Sequence, residues 1–156
     1  MATNNDVWAV VETDNAGRPK KLGLELATMA AQAAAQYGGQ AGAIVIGPRE
    51  AADAVGQYGA ANVFYCADPA TKSDIVGPAS AVIASLVQQH NPRLVLFPST
   101  PLGKDWAGRV AGKLALGIEA DVIEMSVEGG QAIVVAPAFN GALRVSSRFT
   151  NEGEQT

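Results

Sequence analysis

Four short apolar runs, each followed by a stretch with helical character, constrain this chain more than any other feature. They are residues 6–12 (DVWAVVE), 42–47 (GAIVIG), 62–66 (NVFYC) and 94–97 (LVLF). In the first and the last of these, so little polar alternation marks a buried strand. Strands that alternate with helices pair in parallel through βαβ crossovers. After the first run, residues 13–19 (TDNAGRP) carry turn chemistry throughout. A helix follows with Leu22, Leu26, Met29, Ala30, Ala33 and Tyr37 on one face, and Gly38-Gly39 ends it. Residues 49–58 read as a short alanine-rich helix stopped by Gly59. Residues 79–90 read as a longer one, ended by Asn91-Pro92 because the residue before proline leaves the helical region.

The fourth unit is the most informative. Leu94 to Phe97 runs into a small polar turn, Ser99-Thr100-Pro101-Leu102-Gly103. Trp106, Val110 and Leu114 then recur every four residues beside Ala107 and Ala111. Gly108 and Gly112 lie four apart on a neighbouring face, which predicts close approach of another backbone. Asp105 is expected in the first helical turn, paired with Arg109 at i+4. In open α/β sheets ligands bind where a strand ends and its helix begins, so Ser99, Thr100 and Gly103 form a candidate anion or nucleotide turn. The same hydroxyls also suit plain helix capping.

Beyond Gly117 the pattern changes. Residues 120–127, 131–139 and 143–149 are strand-like and have no helix between them. Gly129-Gly130 and Asn140-Gly141 fall in the gaps, as in hairpins. The fold class is therefore α/β: a mainly parallel sheet flanked by helices in three layers, with an antiparallel C-terminal β tail. Residues 1–156 are expected to be a single domain, with 150–156 the start of a linker or a disordered end.

Composition removes several functions. A formal net charge of -4, with eleven scattered Lys and Arg, gives no basic patch for nucleic acid. No apolar run approaches the length that spans a bilayer, so membrane insertion is not expected. A lone cysteine, Cys66, permits no intramolecular disulfide and fits a reducing compartment, and the chain reads as cytoplasmic. No two of the 17 glycines are separated by one residue, which removes the dinucleotide fingerprint. The Gly-Lys pairs at 103–104 and 112–113 lack the surroundings of a P-loop, and G-x-S-x-G is absent. One histidine and one cysteine make no dense metal site. His90 suits a helix C-terminus, and Cys66 suits a small buried hydrophobe. Glu119, Asp121 and Glu124 form an acidic patch with no visible acid–base pairing. Neither catalytic nor metal-binding residues are expected.

The run FPSTPLGKDWAGRVAGKLALGIEADV resembles the alpha subunit of electron transfer flavoproteins. Gly103, Asp105, Ala107, Arg109, Ala111, Leu114, Gly117, Ala120 and Asp121 match the family pattern. Lys104, Trp106 and Gly108 are mild departures from it. The opening VWAVVE, the IVIG strand and the run from Tyr58 to Val63 are similar too, so the likeness covers nearly the whole chain. It implies an adenine nucleotide alpha hydrolase-like architecture that is not itself an enzyme. It also implies a heterodimer with a beta subunit that passes electrons from dehydrogenases through FAD. The family's flavin motifs lie in a further C-terminal domain with no counterpart here. The resemblance thus implies FAD in a full-length subunit and none bound by this chain alone. A small adenine-nucleotide-binding α/β domain, using the Ser99–Gly103 turn, is the alternative reading.

Overall fold

The computed structural model describes residues 4–73 and 76–150. The elements, in order, are β1 (Val7–Glu12), α1 (Lys21–Tyr37), β2 (Ala41–Ile46), α2 (Arg49–Gly56), β3 (Asn62–Cys66), α3 (Ala70–Ser73) and α4 (Gly77–His90). They continue with β4 (Leu94–Leu96), α5 (Pro101–Leu114), β5 (Glu124–Glu128), β6 (Gln131–Ala138) and β7 (Leu143–Arg148). Of the expected linker start or disordered end, 150–156, residues 151–156 lie outside the described residues.

β1 to β4 form one parallel sheet in the order β3-β2-β1-β4. Every residue of β1 and β2 is buried, as their unbroken apolar character requires. Period-two geometry divides β1 between two cores. Val7, Ala9 and Val11 meet the alanines of α1 and α2 on one face. Trp8 and Val10 meet Ile83 and Val87 of α4 and Trp106 and Val110 of α5 on the other. This gives the three layers expected. α3 is a short helix that the periodicity does not announce.

The buried face of α1 overlaps the expected one, since Ala30 and Ala33 are buried and Leu26 and Tyr37 pack against the core, but it is turned away from Leu22 and Met29. Gly23, Ala27, Ala30, Ala33 and Ala34 are buried, whereas Leu22 and Met29 are 37% and 36% exposed. The reason is distance from the sheet. A Cβ on Gly23 would lie 2.6 Å from Val11 Cγ1, so the helix sits too close for leucine on that side. Gly38, at φ 71, closes the helix in the left-handed conformation expected of a glycine cap.

The tail is a separate antiparallel sheet, order β5-β6-β7. Val134 lies opposite Met125 and Ser147, and Ala132 opposite Val127. Ala132 packs into the α1-side core, with Met125, Val127 and Phe149 against it. β5 starts at Glu124 rather than at 120. Residues 116–123 run as irregular chain, with Asp121 at φ 55. The second hairpin turns through four residues, 139–142, with Phe139, Asn140 and Gly141 all at positive φ.

Candidate functional site

The strand order reverses direction at β1. The chain moves outward through β2 and β3, then crosses back to place β4 on the other side of β1. In doubly wound sheets the crevice at such a reversal, beyond the carboxyl ends of the strands, is where ligands are held. Here it is bounded by Glu12 at the end of β1 and by Ser99 and Thr100 beyond β4.

Glu12 follows Trp8 and Val10 in the period-two alternation, so its side chain takes the α5 side of the sheet. It is only 2% exposed. Lys20 Nζ lies 2.5 Å from Glu12 Oε2, and Thr100 Oγ1 donates to Glu12 Oε1. A buried carboxylate requires such partners. The loop between β1 and α1 delivers Lys20, whose N–H donates to the Glu12 carbonyl at 2.9 Å. An Asp14 carboxylate that accepts from the N–H groups of Ala16 and Arg18 fixes that loop. The Arg18 contacts, led by the Arg18 N–H, hold the Asp14 carboxyl below its usual range.

Thr100 is also the N-cap of α5, accepting from the Gly103 N–H at 3.0 Å. Pro101 occupies the first helical position and has no N–H. Gly103 is required by close approach, since a Cβ there would lie 2.0 Å from the Pro98 carbonyl oxygen. Ser99 Oγ donates to Asp121 Oδ1 at 3.0 Å, and Lys104 Nζ reaches the same oxygen at 2.5 Å. Lys104 first, then Ser99, holds the Asp121 carboxyl below its ordinary value. The two hydroxyls of the expected anion turn therefore face two carboxylates of this chain.

Asp121 pins residues 116–122 across an apolar cleft of about 290 Å³. Leu94, Leu96, Phe97, Val110, Val134 and Phe149 are among its lining residues, so it lies between the β4 edge, α5 and the tail. Beyond it the inward face of the tail is uncovered. Val145, opposite Ala136, is 46% exposed, and Leu143, opposite Ala138, is 54% exposed. Phe139 in the adjoining turn is 81% exposed.

Other expectations resolve plainly. α5 begins at Pro101, so Asp105 lies beyond the first turn, and it forms no ion pair with Arg109 among the described residues. Gly108 and Gly112 are exposed, and a Cβ on either would meet nothing within 4 Å, so the expected close packing is absent. The spacing predicts a face neighbouring that of Trp106 and Val110, and in the structure that face is open. His90 ends α4 with its ring 4.8 Å from Phe64 and 5.2 Å from Trp8. Cys66 is half-buried beside the α4–α5 core. Of the acidic patch, Asp121 holds Lys104, while Glu124 pairs with Arg144. No group of three or more potential metal ligands occurs among the described residues, nor any helix long and apolar enough to cross a membrane. The sequence reading passed over Glu12, Lys20 and Arg93. The lone carboxylate closing an otherwise apolar strand was the available signal for the first.

A parallel sheet with helices on both faces, followed by an antiparallel tail, defines a doubly wound α/β domain. The sequence pattern of the electron transfer flavoprotein domain matches residues 7–150, and the chain belongs to that family. Electron transfer flavoprotein subunit alpha of Mycobacterium tuberculosis is 33% identical over 140 residues, which is 87% of this chain and 42% of that protein. The Thermoanaerobacterium thermosaccharolyticum subunit alpha is 26% identical over 99% of this chain and 48% of its own length. The Bacillus subtilis subunit alpha is 34% identical over 54% of this chain and 26% of its own length. The chain thus spans about half, or less, of the curated relatives it matches.

Proposed function

We propose that residues 1–156 are the N-terminal structural and partner-binding domain of an electron transfer flavoprotein alpha subunit. In this reading the domain pairs with a beta subunit and takes no catalytic step of its own. Electrons from dehydrogenases pass through FAD held elsewhere in the assembly, and none is bound by this stretch. The family match and the relatives named subunit alpha support the assignment. The uncovered apolar face of Val145 and Leu143, with exposed Phe139 in the adjoining turn, is the observation that carries the partner-binding part. It continues the buried Ala132 and Val134 face beyond the domain's own core, and an antiparallel sheet with an apolar free face suits a protein partner. We assign the protein to the cytoplasm, supported by its single, unpaired cysteine.

The test is to purify residues 1–156 and titrate them with an electron transfer flavoprotein beta subunit from the same organism. The chain is expected to be colourless and folded. It should bind the beta subunit more weakly than a full-length alpha subunit does, because part of the contact area is missing. Stoichiometric FAD on residues 1–156, or no binding by either alpha form, contradicts the assignment.

A further inference from the structure

Glu12 is the one buried acidic side chain among the described residues, and the partner-binding reading gives it no task. It sits where the strand order reverses, at the carboxyl end of β1, in the crevice that doubly wound sheets use for anionic ligands. The groups that would greet such a ligand are present: a lysine ammonium, a hydroxyl and a helix N-terminus. The two side chains are already committed, and so is part of the helix N-terminus. Lys20 Nζ and Thr100 Oγ1 both engage the Glu12 carboxylate. The α5 N-terminus has a proline at its first position, and its Gly103 N–H is bound to Thr100.

We infer that Glu12 is an internal ligand: its carboxylate fills the anion position of the crevice and closes the domain to phosphate-bearing small molecules. The Ser99–Gly103 turn is then an anion-binding turn whose anion comes from the chain itself. A phosphate entering the crevice has to displace a buried carboxylate or lie beside it, and like charges at contact distance disfavour the second arrangement. The fold keeps the shape of a nucleotide domain while its ligand position is plugged. This concerns the crevice alone and stands or falls apart from partner binding by the tail.

Chemical rescue tests it. Glu12→Ala deletes the carboxylate but leaves Lys20, Thr100 and a space of matching size. The parent, Glu12→Ala and Glu12→Gln are melted in sodium acetate, in inorganic phosphate and in sodium chloride of equal ionic strength. The parent is expected to respond to none of the three specifically. Glu12→Ala should melt lower, and acetate at tenfold excess over its Kd should raise its Tm by about 3–5 °C. Glu12→Gln fills the same space without charge and should fold yet take up no acetate. If Glu12→Ala does not fold in chloride, acetate has to restore the folded fraction. A parent stabilised by phosphate as strongly as Glu12→Ala overturns the inference. So does a Glu12→Ala variant, folded or unfolded, that gains nothing from either anion.

Discussion

Arg93 Nη2 donates a 2.8 Å hydrogen bond to the carbonyl of Gly130, tying the residue before β4 to the turn between β5 and β6. The same guanidinium lies over the Tyr37 ring, 4.5 Å from its centroid, and Nη1 reaches Asn5 Oδ1 at 3.4 Å. One side chain thus joins the end of α1, the sheet edge and the tail. An arginine's planar fork suits this, because it stacks and donates at the same time.

Arg93→Ala is therefore expected to destabilise the chain by about 1–3 kcal/mol, the scale of a lost charged hydrogen bond plus a cation–π contact. Arg93→Lys should recover only part of it. Hydrogen exchange should localise the loosening to the hairpin around residues 128–131. Protection there that is unchanged in Arg93→Ala rules out this clamp.

Two glycines predict opposite outcomes. A Cβ on Gly42 would lie 2.5 Å from Trp8 Nε1, and Trp8 is buried, so Gly42→Ala should cost about 1–3 kcal/mol through overpacking. Gly112 has open space around it in a helix, so Gly112→Ala should leave stability unchanged or raise it by up to about 1 kcal/mol. Urea unfolding of both variants checks the pair. A Gly112→Ala variant less stable than its parent places an unseen neighbour against α5.

The sequence carried the architecture well and the contacts poorly. DVWAVVE and GAIVIG announce parallel strands, and both prove buried because a strand covered on both faces cannot alternate. Asn140-Gly141 does mark a turn, though Phe139 joins it and lengthens the loop to four residues. Spacing shows which residues share a helix face, not how near the next element lies. Alanines rather than Leu22 and Met29 therefore face the sheet, and Gly108 and Gly112 face open space. Glu12 was legible only as a charge at a strand end, because Thr100, which meets it, lies 88 residues away.

Acid should free residues 116–122 from the cleft. The Asp121 carboxyl is held below its ordinary value of 3.8 by Lys104 and Ser99. A depressed carboxylate contributes stability that is fully present above the unfolded value and is lost as pH falls through the folded one. The loop should therefore stay anchored above pH 3.8 and loosen below it. NMR amide shifts of residues 116–122 followed through acid titration report this directly. In Asp121→Asn the loop should already be loosened at neutral pH. If the Asp121→Asn variant shows the same acid transition as the parent, the loop is anchored by something else.

The tail carries the central claim, and one measurement reaches it most directly. Residues 1–156 are titrated by calorimetry with an electron transfer flavoprotein beta subunit, as the parent and as Leu143→Asp and Phe139→Asp. Both side chains are exposed, so neither substitution should unfold the domain. A charge set into an apolar contact should weaken binding at least tenfold, about 1.4 kcal/mol or more, while the melting temperature stays near that of the parent. Parent-like affinity in both variants would contradict the assignment of the β tail as the docking face.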